Sequence, residues 1–116
     1  MGRLTTHVLD TAQGCPAGGV AIALFRMQPS RRLIAEARTN ADGRLDAPIL
    51  DKQDFTPGVY ELVFEAGDYF RSHLDNLPDP LFVDQVVLRF GIAEADQHYH
   101  VPLLVSPWSY STYRGS

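Results

Sequence analysis

Two histidines late in the chain have a spacing that points to chemistry. His98 and His100 lie two residues apart in a segment with the pattern of a β-strand, so both side chains are expected on the same face. Two imidazoles placed in this way can supply part of the ligand set that zinc requires. They can also act as acid or base in a polar cleft, or lie on a solvated face. The pair alone leaves these interpretations open.

Other polar residues add candidates without deciding the matter. A further zinc ligand would have to be His7 or Cys15, and neither has the local spacing of a zinc motif. Arg44 and Arg114 are either solvated or serve as planar, charged donors for an anionic or carbonyl-rich ligand. Ser116 offers a hydroxyl and a terminal carboxylate.

Short alternating segments separated by Gly, Pro, Asn and Asp predict the framework that positions these residues. The clearest strand covers 59–65, with Tyr60, Leu62 and Phe64 on one face. In segment 4–10, Leu4, Thr6 and Val8 alternate with Thr5, His7 and Leu9. The other predicted strands are 20–27, 32–38, a short one starting at Arg44, 82–90 (with Phe82 on the same face as Val86), 97–105 and 108–114.

One segment breaks the alternation and predicts the only helix. Asp68 is expected to cap it, and it runs over residues 68–74. Seven or eight short strands with one small helix are typical of an antiparallel β-sandwich of two sheets. A chain of 116 residues fits one such domain, over residues 1–116.

Composition excludes several classes of function. A net charge of −4 argues against nucleic acid as the main partner, because phosphate binding needs a basic face. No apolar run approaches the roughly 20 residues of a membrane helix, so no membrane partner is expected. The first nine residues lack an apolar signal-peptide core, and a single cysteine, Cys15, suits a reducing compartment. We therefore expect a cytoplasmic protein.

The last predicted strand has an unusual composition for a chain end. Aromatic residues lie on both of its faces, with Trp108 and Tyr110 opposite Tyr113. Chain ends usually fray unless they are held. One face is expected to meet the domain's own core and the other a partner subunit, since an edge strand is a natural place for pairing.

Three segments together narrow these alternatives. They are residues 4–10 with Gly14 and 16–17, then Asp42-Gly43-Arg44, then 98–107 continuing to Tyr110-Ser111-Thr112-Tyr113-Arg114-Gly115-Ser116. This set resembles the 5-hydroxyisourate hydrolases, the enzymatic relatives of transthyretin, and the resemblance spans nearly the whole chain. Its most specific element is 113–116, which the hormone-carrier transthyretins lack.

The resemblance implies a transthyretin-like sandwich that assembles as a homotetramer, a dimer of dimers, with sites in the channel between the dimers. It implies no metal and no cofactor. The implied catalytic residues are His7, Arg44, His100 and Ser116. The implied substrate-binding residues are His7, Arg44, His98, Tyr113 and Arg114.

The implied reaction belongs to urate breakdown. It hydrolyses 5-hydroxyisourate to 2-oxo-4-hydroxy-4-carboxy-5-ureidoimidazoline, as water attacks a ring carbonyl and a cyclic amide bond opens. We expect a neutral imidazole of His7 or His100 to activate the water and Arg44 to stabilise the negative charge. The alternatives are a transthyretin-like carrier of an aromatic ligand and a zinc hydrolase that uses His98 and His100.

Overall fold

Segments in which apolar and polar residues alternate form most of the strands, and the break in alternation forms the helix. The computed structural model describes residues 1–115 and places them in two sheets with one short α-helix. The strands are β1 (Arg3–Asp10), β2 (Cys15–Pro16), β3 (Ala21–Arg26), β4 (Arg32–Arg38), β5 (Leu50–Asp51), β6 (Gly58–Glu65), β7 (Gln85–Ile92), β8 (Tyr99–Val105) and β9 (Tyr110–Thr112). The helix is α1 (Ala66–His73), and a 3-10 turn covers Lys52–Asp54.

The first sheet has the order β2-β1-β8-β9, with β5 also paired to β1, and the second has the order β4-β3-β6-β7. This confirms the two-sheet sandwich. The prediction that it is antiparallel is wrong for one pair, because β1 and β8 run parallel. The chain enters β8 from β7 of the second sheet, so β1 and β8 are not joined by a hairpin. No tight turn therefore requires them to pair antiparallel.

Side chains between the two sheets form one core. Tyr60, Leu62 and Phe64 of β6 are fully buried there, together with Leu4 and Val8 of β1. Burying an aliphatic or aromatic side chain of this size contributes about 1.5–3 kcal/mol. The predicted inward faces of segments 4–10 and 59–65 are therefore confirmed, and the alternation turns the intervening residues of β1 outward.

A buried carboxylate joins the helix to the end of β1. Oδ1 of Asp10 accepts hydrogen bonds from the backbone N–H groups of Ala12 and Gln13, both at 2.9 Å. The Tyr69 hydroxyl of α1 donates to Oδ2 of Asp10 at 2.8 Å. Burial and the neighbouring carboxylate raise the pKa of Tyr69, so its phenol stays protonated and remains a donor.

The predicted helix exists but begins earlier than expected. Asp68 is not its cap, because α1 starts at Ala66 and Glu65 occupies the capping position without a side-chain bond. Asp68 lies in the first turn and pairs with Arg71 at 3.0 Å. A carboxylate in the first turn is still favourable, since it faces the positive end of the helix dipole.

Two of the predicted strands, 82–90 and 108–114, begin later than expected. Phe82 is 78% exposed and lies outside β7, because the backbone before this strand turns toward the helix, where the Asp84 carbonyl accepts from the Gly67 N–H at 2.9 Å. The last strand begins only at Tyr110. Oγ of Ser106 accepts from the backbone N–H groups of Trp108 and Ser109, both at 3.1 Å, and so holds a turn there.

The prediction of a short strand that starts at Arg44 is also wrong. Arg44 forms only an isolated antiparallel bridge with His7. The segment just before it is a turn in which Oδ1 of Asn40 accepts from the N–H groups of Asp42 at 2.9 Å and Arg44 at 3.2 Å. These bonds curl the backbone, and the turn 40–44 presents Arg44 beside β1.

A single glycine lets this turn lie against β1. The Gly43 carbonyl accepts from the Val8 N–H at 2.8 Å, and Gly43 has φ +75°. A Cβ added there would lie 2.4 Å from the Val8 carbonyl oxygen, closer than real contacts allow. Glycine is therefore required both by its left-handed backbone and by the close approach.

Within residues 1–115, the structure contains no helix with the length and apolar character needed to cross a bilayer.

We predict that Gly43→Ala lowers the melting temperature more than Gly14→Ala does. Both glycines have similar positive φ angles, +75° and +71°, so each alanine costs about 1–2 kcal/mol of backbone strain. Only Gly43→Ala adds a collision with the Val8 carbonyl, since no described atom lies within 4 Å of a Cβ at Gly14. Thermal unfolding of both variants at one protein concentration measures the difference. Equal melting temperatures would contradict the close approach.

Candidate active site

The outward face of the β1–β8 pair carries the candidate residues. On β1, the side chains of Leu4, Thr6 and Val8 point into the core. Those of Thr5 and His7 therefore point outward. A pocket of about 310 Å³ opens on this side of the sheet. Its lining residues come from β1, from the end of the turn 40–44 and the segment after it, and from the start of β8 and the residue before it: Arg3, Thr5, Thr6, Arg44, Leu45, Ala47, His98 and His100. His98, which the sequence predicts within strand 97–105, precedes β8.

His100 is held from the strand beside it. In the parallel register Thr5 lies opposite His100, and Oγ1 of Thr5 is 2.8 Å from Nδ1 of the imidazole. Burial lowers the pKa of His100, and the charges of Arg44 and His7 lower it further. The imidazole of His100 is therefore neutral near neutral pH.

His7 is held by a backbone carbonyl. Its Nε2 lies 2.8 Å from the carbonyl oxygen of Asp42, in the turn that presents Arg44. A carbonyl oxygen can only accept a hydrogen bond, so Nε2 must carry the proton. In the neutral ring Nδ1 is then the basic atom. The turn 40–44 thus fixes the tautomer of His7 and pairs the Arg44 backbone with the His7 backbone.

The chain end is fastened along the start of β8. The Gly115 N–H donates to the His100 carbonyl at 2.7 Å. The Arg114 guanidinium donates to the His98 carbonyl and to Oε1 of Gln97, both at 3.0 Å, and its carbon lies 4.0 Å from the centre of the Tyr99 ring. A cation over an aromatic face adds about 0.5–1 kcal/mol at an exposed site.

Glycine is required where the chain end passes the imidazole. A Cβ added at Gly115 would lie 2.8 Å from Cδ2 of His100, inside normal contact distance. The backbone of the tail therefore lies directly against this ring. Ser116, which the sequence predicts as catalytic, lies outside the described residues.

The structure brings together part of the predicted set. His98, Arg44 and His100 line one pocket, and the charge of His7 acts on His100. Tyr113 and Arg114 instead line a second cavity of about 420 Å³ between β7 and the β8–β9 pair. Their substrate-binding role stays a prediction.

Two groups at this site escape sequence reasoning. Thr5 is the first, although its alternation with Leu4 and Thr6 already places it on the face of His7. The backbone carbonyl of Asp42 is the second, and no side-chain motif can reveal it. Within residues 1–115, no three His, Cys, Asp or Glu side chains cluster closely enough to hold a metal ion.

Comparison with known proteins gives consistent matches. The model of the HIUase/Transthyretin family matches residues 4–115. The 5-hydroxyisourate hydrolase of Pseudomonas aeruginosa is 65% identical over 117 residues, which cover 100% of this chain and 93% of that protein. The solved structure of Klebsiella pneumoniae 5-hydroxyisourate hydrolase has a TM-score of 0.83 and 34% identity, with 100% of both chains covered.

A longer protein contains a similar unit. The crystal structure of (S)-allantoin synthase matches with a TM-score of 0.94 and 52% identity. The match covers 99% of this chain but 44% of that one, so this chain spans less than half of that protein's length.

We predict that Arg44→Gln raises the pKa of His100. The substitution removes a positive charge that disfavours the imidazolium, while burial, the largest cause of the lowered pKa, remains. The pKa should therefore rise without returning fully to its ordinary value. Arg44→Lys keeps the charge and is the matched control. An NMR titration of the His100 ring measures both variants, and an unchanged pKa in Arg44→Gln would contradict the assigned cause.

Proposed function

The chain belongs to the HIUase/transthyretin family, and we propose that it hydrolyses 5-hydroxyisourate in the pocket formed by β1, β8 and the turn 40–44. It is an enzyme, a hydroxyisourate hydrolase of purine degradation. The observation that carries this function is 65% identity to a hydrolase over the full chain, together with His7, Arg44 and His100 at one site. An imidazole and guanidinium lining also differs from the apolar channel expected of a carrier for an aromatic ligand.

The reaction opens a cyclic amide. Water adds to a ring carbonyl of 5-hydroxyisourate, and the carbonyl oxygen becomes an oxyanion. As this intermediate collapses, the C–N bond breaks and the nitrogen takes a proton, which yields 2-oxo-4-hydroxy-4-carboxy-5-ureidoimidazoline. We infer that Arg44 binds the oxyanion, and its charge and its position in the pocket with His100 support this role.

The hydrogen-bond partners favour His7 as the base. The Asp42 carbonyl accepts from Nε2 of His7 and would stabilise the imidazolium that forms when Nδ1 takes a proton from water. His100 is less suited to hold a proton, since burial and the charges of Arg44 and His7 lower its pKa. The proton on His7 then passes to the departing nitrogen. His98, Tyr113, Arg114 and Ser116 remain proposed contributors to substrate binding or positioning.

We infer a homotetramer, built as a dimer of dimers. Within residues 1–115 of one chain, no strand pairs with the outer sides of the edge strands β7 and β9, and Trp108, Tyr110 and Tyr113 near β9 are exposed. Pairing of these edges between two chains would extend both sheets, and the outward face of β1 and β8 would line a channel between two such dimers. The 1–116 chain would then be one hydrolase domain, and its single cysteine supports a cytoplasmic location.

We predict that His7→Ala lowers kcat by about 10²–10⁴-fold, the usual contribution of a positioned acid or base. His73→Ala is the matched control, because His73 is an exposed histidine on α1 whose Nδ1 bonds the Tyr69 carbonyl at 2.8 Å, away from the pocket. The assay follows the ultraviolet absorbance of freshly generated 5-hydroxyisourate.

Wild-type turnover in His7→Ala would refute the assignment of the base. No acceleration by the wild-type protein would favour the carrier instead.

A further inference from the structure

The hydroxyl of Thr5 contacts an imidazole of the proposed site. It lies opposite His100 in the parallel β1–β8 register, 95 residues away along the chain, and its Oγ1 is 2.8 Å from Nδ1. Both side chains line the same pocket. Building on the proposed hydrolase function, we propose that Thr5 is a positioning residue whose hydroxyl donates to Nδ1 of His100 and so keeps the imidazole proton on Nε2.

The direction of this bond follows from the groups available to the hydroxyl. A threonine hydroxyl has one proton to donate, and a neutral imidazole has one donor and one acceptor nitrogen. Within residues 1–115, the Thr5 hydroxyl has Nδ1 of His100 as its hydrogen-bond partner. Donation to Nδ1 satisfies the hydroxyl proton and the ring lone pair together. The opposite direction would leave the hydroxyl proton without a protein acceptor in this part of the chain.

The Thr5 hydroxyl can donate to Nδ1 only if the His100 imidazole is neutral, and the groups around the ring favour the neutral form. Arg3, Arg44 and His98 line the pocket with His100, and His7 acts on it from β1. These are basic groups, so none of them stabilises an imidazolium. Burial disfavours it as well.

The ring is also confined on its carbon side. Gly115 passes so close to Cδ2 of His100 that a Cβ there would lie at 2.8 Å. Thr5 on Nδ1 and Gly115 against Cδ2 together restrict rotation of the ring. Among residues 1–115, no hydrogen-bond partner reaches Nε2 of His100, so its N–H can donate a hydrogen bond to an oxygen or nitrogen of the bound substrate.

The two histidines therefore differ in the atom that meets the substrate. His7 bonds a carbonyl through Nε2 and offers the lone pair of Nδ1, whereas His100 accepts from a hydroxyl at Nδ1 and offers the proton of Nε2. One ring takes a proton from water and the other stabilises charge by a hydrogen bond. His100 ends the cycle with the proton with which it began, so the proton balance of the hydrolysis is unchanged.

The test compares Thr5→Val with Thr5→Ser in the full-length protein. Valine keeps the branched shape and the strand preference of threonine but removes the hydroxyl, while serine keeps the hydroxyl. We expect kcat of Thr5→Val to fall on the order of tenfold, the effect of one lost hydrogen bond, with KM little changed. Thr5→Ser should retain most of the wild-type kcat.

A second readout reports the tautomer itself. Long-range ¹⁵N–¹H NMR spectra of the wild-type protein should show Nδ1 of His100 as the unprotonated nitrogen, and Thr5→Val should show a mixture of both tautomers. A wild-type ring protonated on Nδ1 would overturn the proposal whether or not the variants fold.

The kinetic outcomes separate this proposal from the proposed function. An active wild-type protein with an equally active Thr5→Val variant would overturn the role of Thr5 alone. A Thr5→Ser variant as slow as Thr5→Val would show that the hydroxyl does not sustain the wild-type rate, and it would also overturn the role of Thr5. An inactive wild-type protein would instead refute the hydrolase function.

Discussion

The parallel pairing of β1 with β8 is the constraint on which the site depends. It brings Thr5 opposite His100 and His7 opposite Pro102, across about ninety-five residues of chain. The side chains of Leu4 and Val8 are buried in the core, and their burial determines which face of β1 points outward. If the register of β1 shifted by one residue, Thr5 and His7 would point into the core and the core residues would point outward. Hydrophobic burial thus sets the register, and the register sets the geometry of the pocket.

Two backbone segments complete the pocket around this pair. The turn 40–44 supplies Arg44 as a side chain and Asp42 as a carbonyl, and both positions depend on Gly43 lying against β1. The chain end lies along β8 because Arg114 bonds the His98 carbonyl and stacks on Tyr99. In this arrangement the Arg114 cation fastens the tail.

Much of the fold could be predicted from local patterns, and the site only in part. The limits of β4 match the predicted 32–38, and alternation placed Thr5 and His7 on one face. Local patterns could not show that β8 pairs with β1 in parallel, since that depends on contacts distant in sequence. Phe82 looked like part of a strand, but a bond between Asp84 and the helix turns the backbone away. The resemblance supplied the chemistry, while the hydrogen-bond partners of each imidazole required coordinates.

A structure with a bound purine-like inhibitor would show where the reaction takes place. We expect the inhibitor in the pocket beside β1 and β8, with a ring oxygen bonded to the Arg44 guanidinium. Its reacting carbon should lie between Nδ1 of His7 and Nε2 of His100. An inhibitor bound instead in the cavity between β7 and the β8–β9 pair, away from both imidazoles, would refute this location of the reaction.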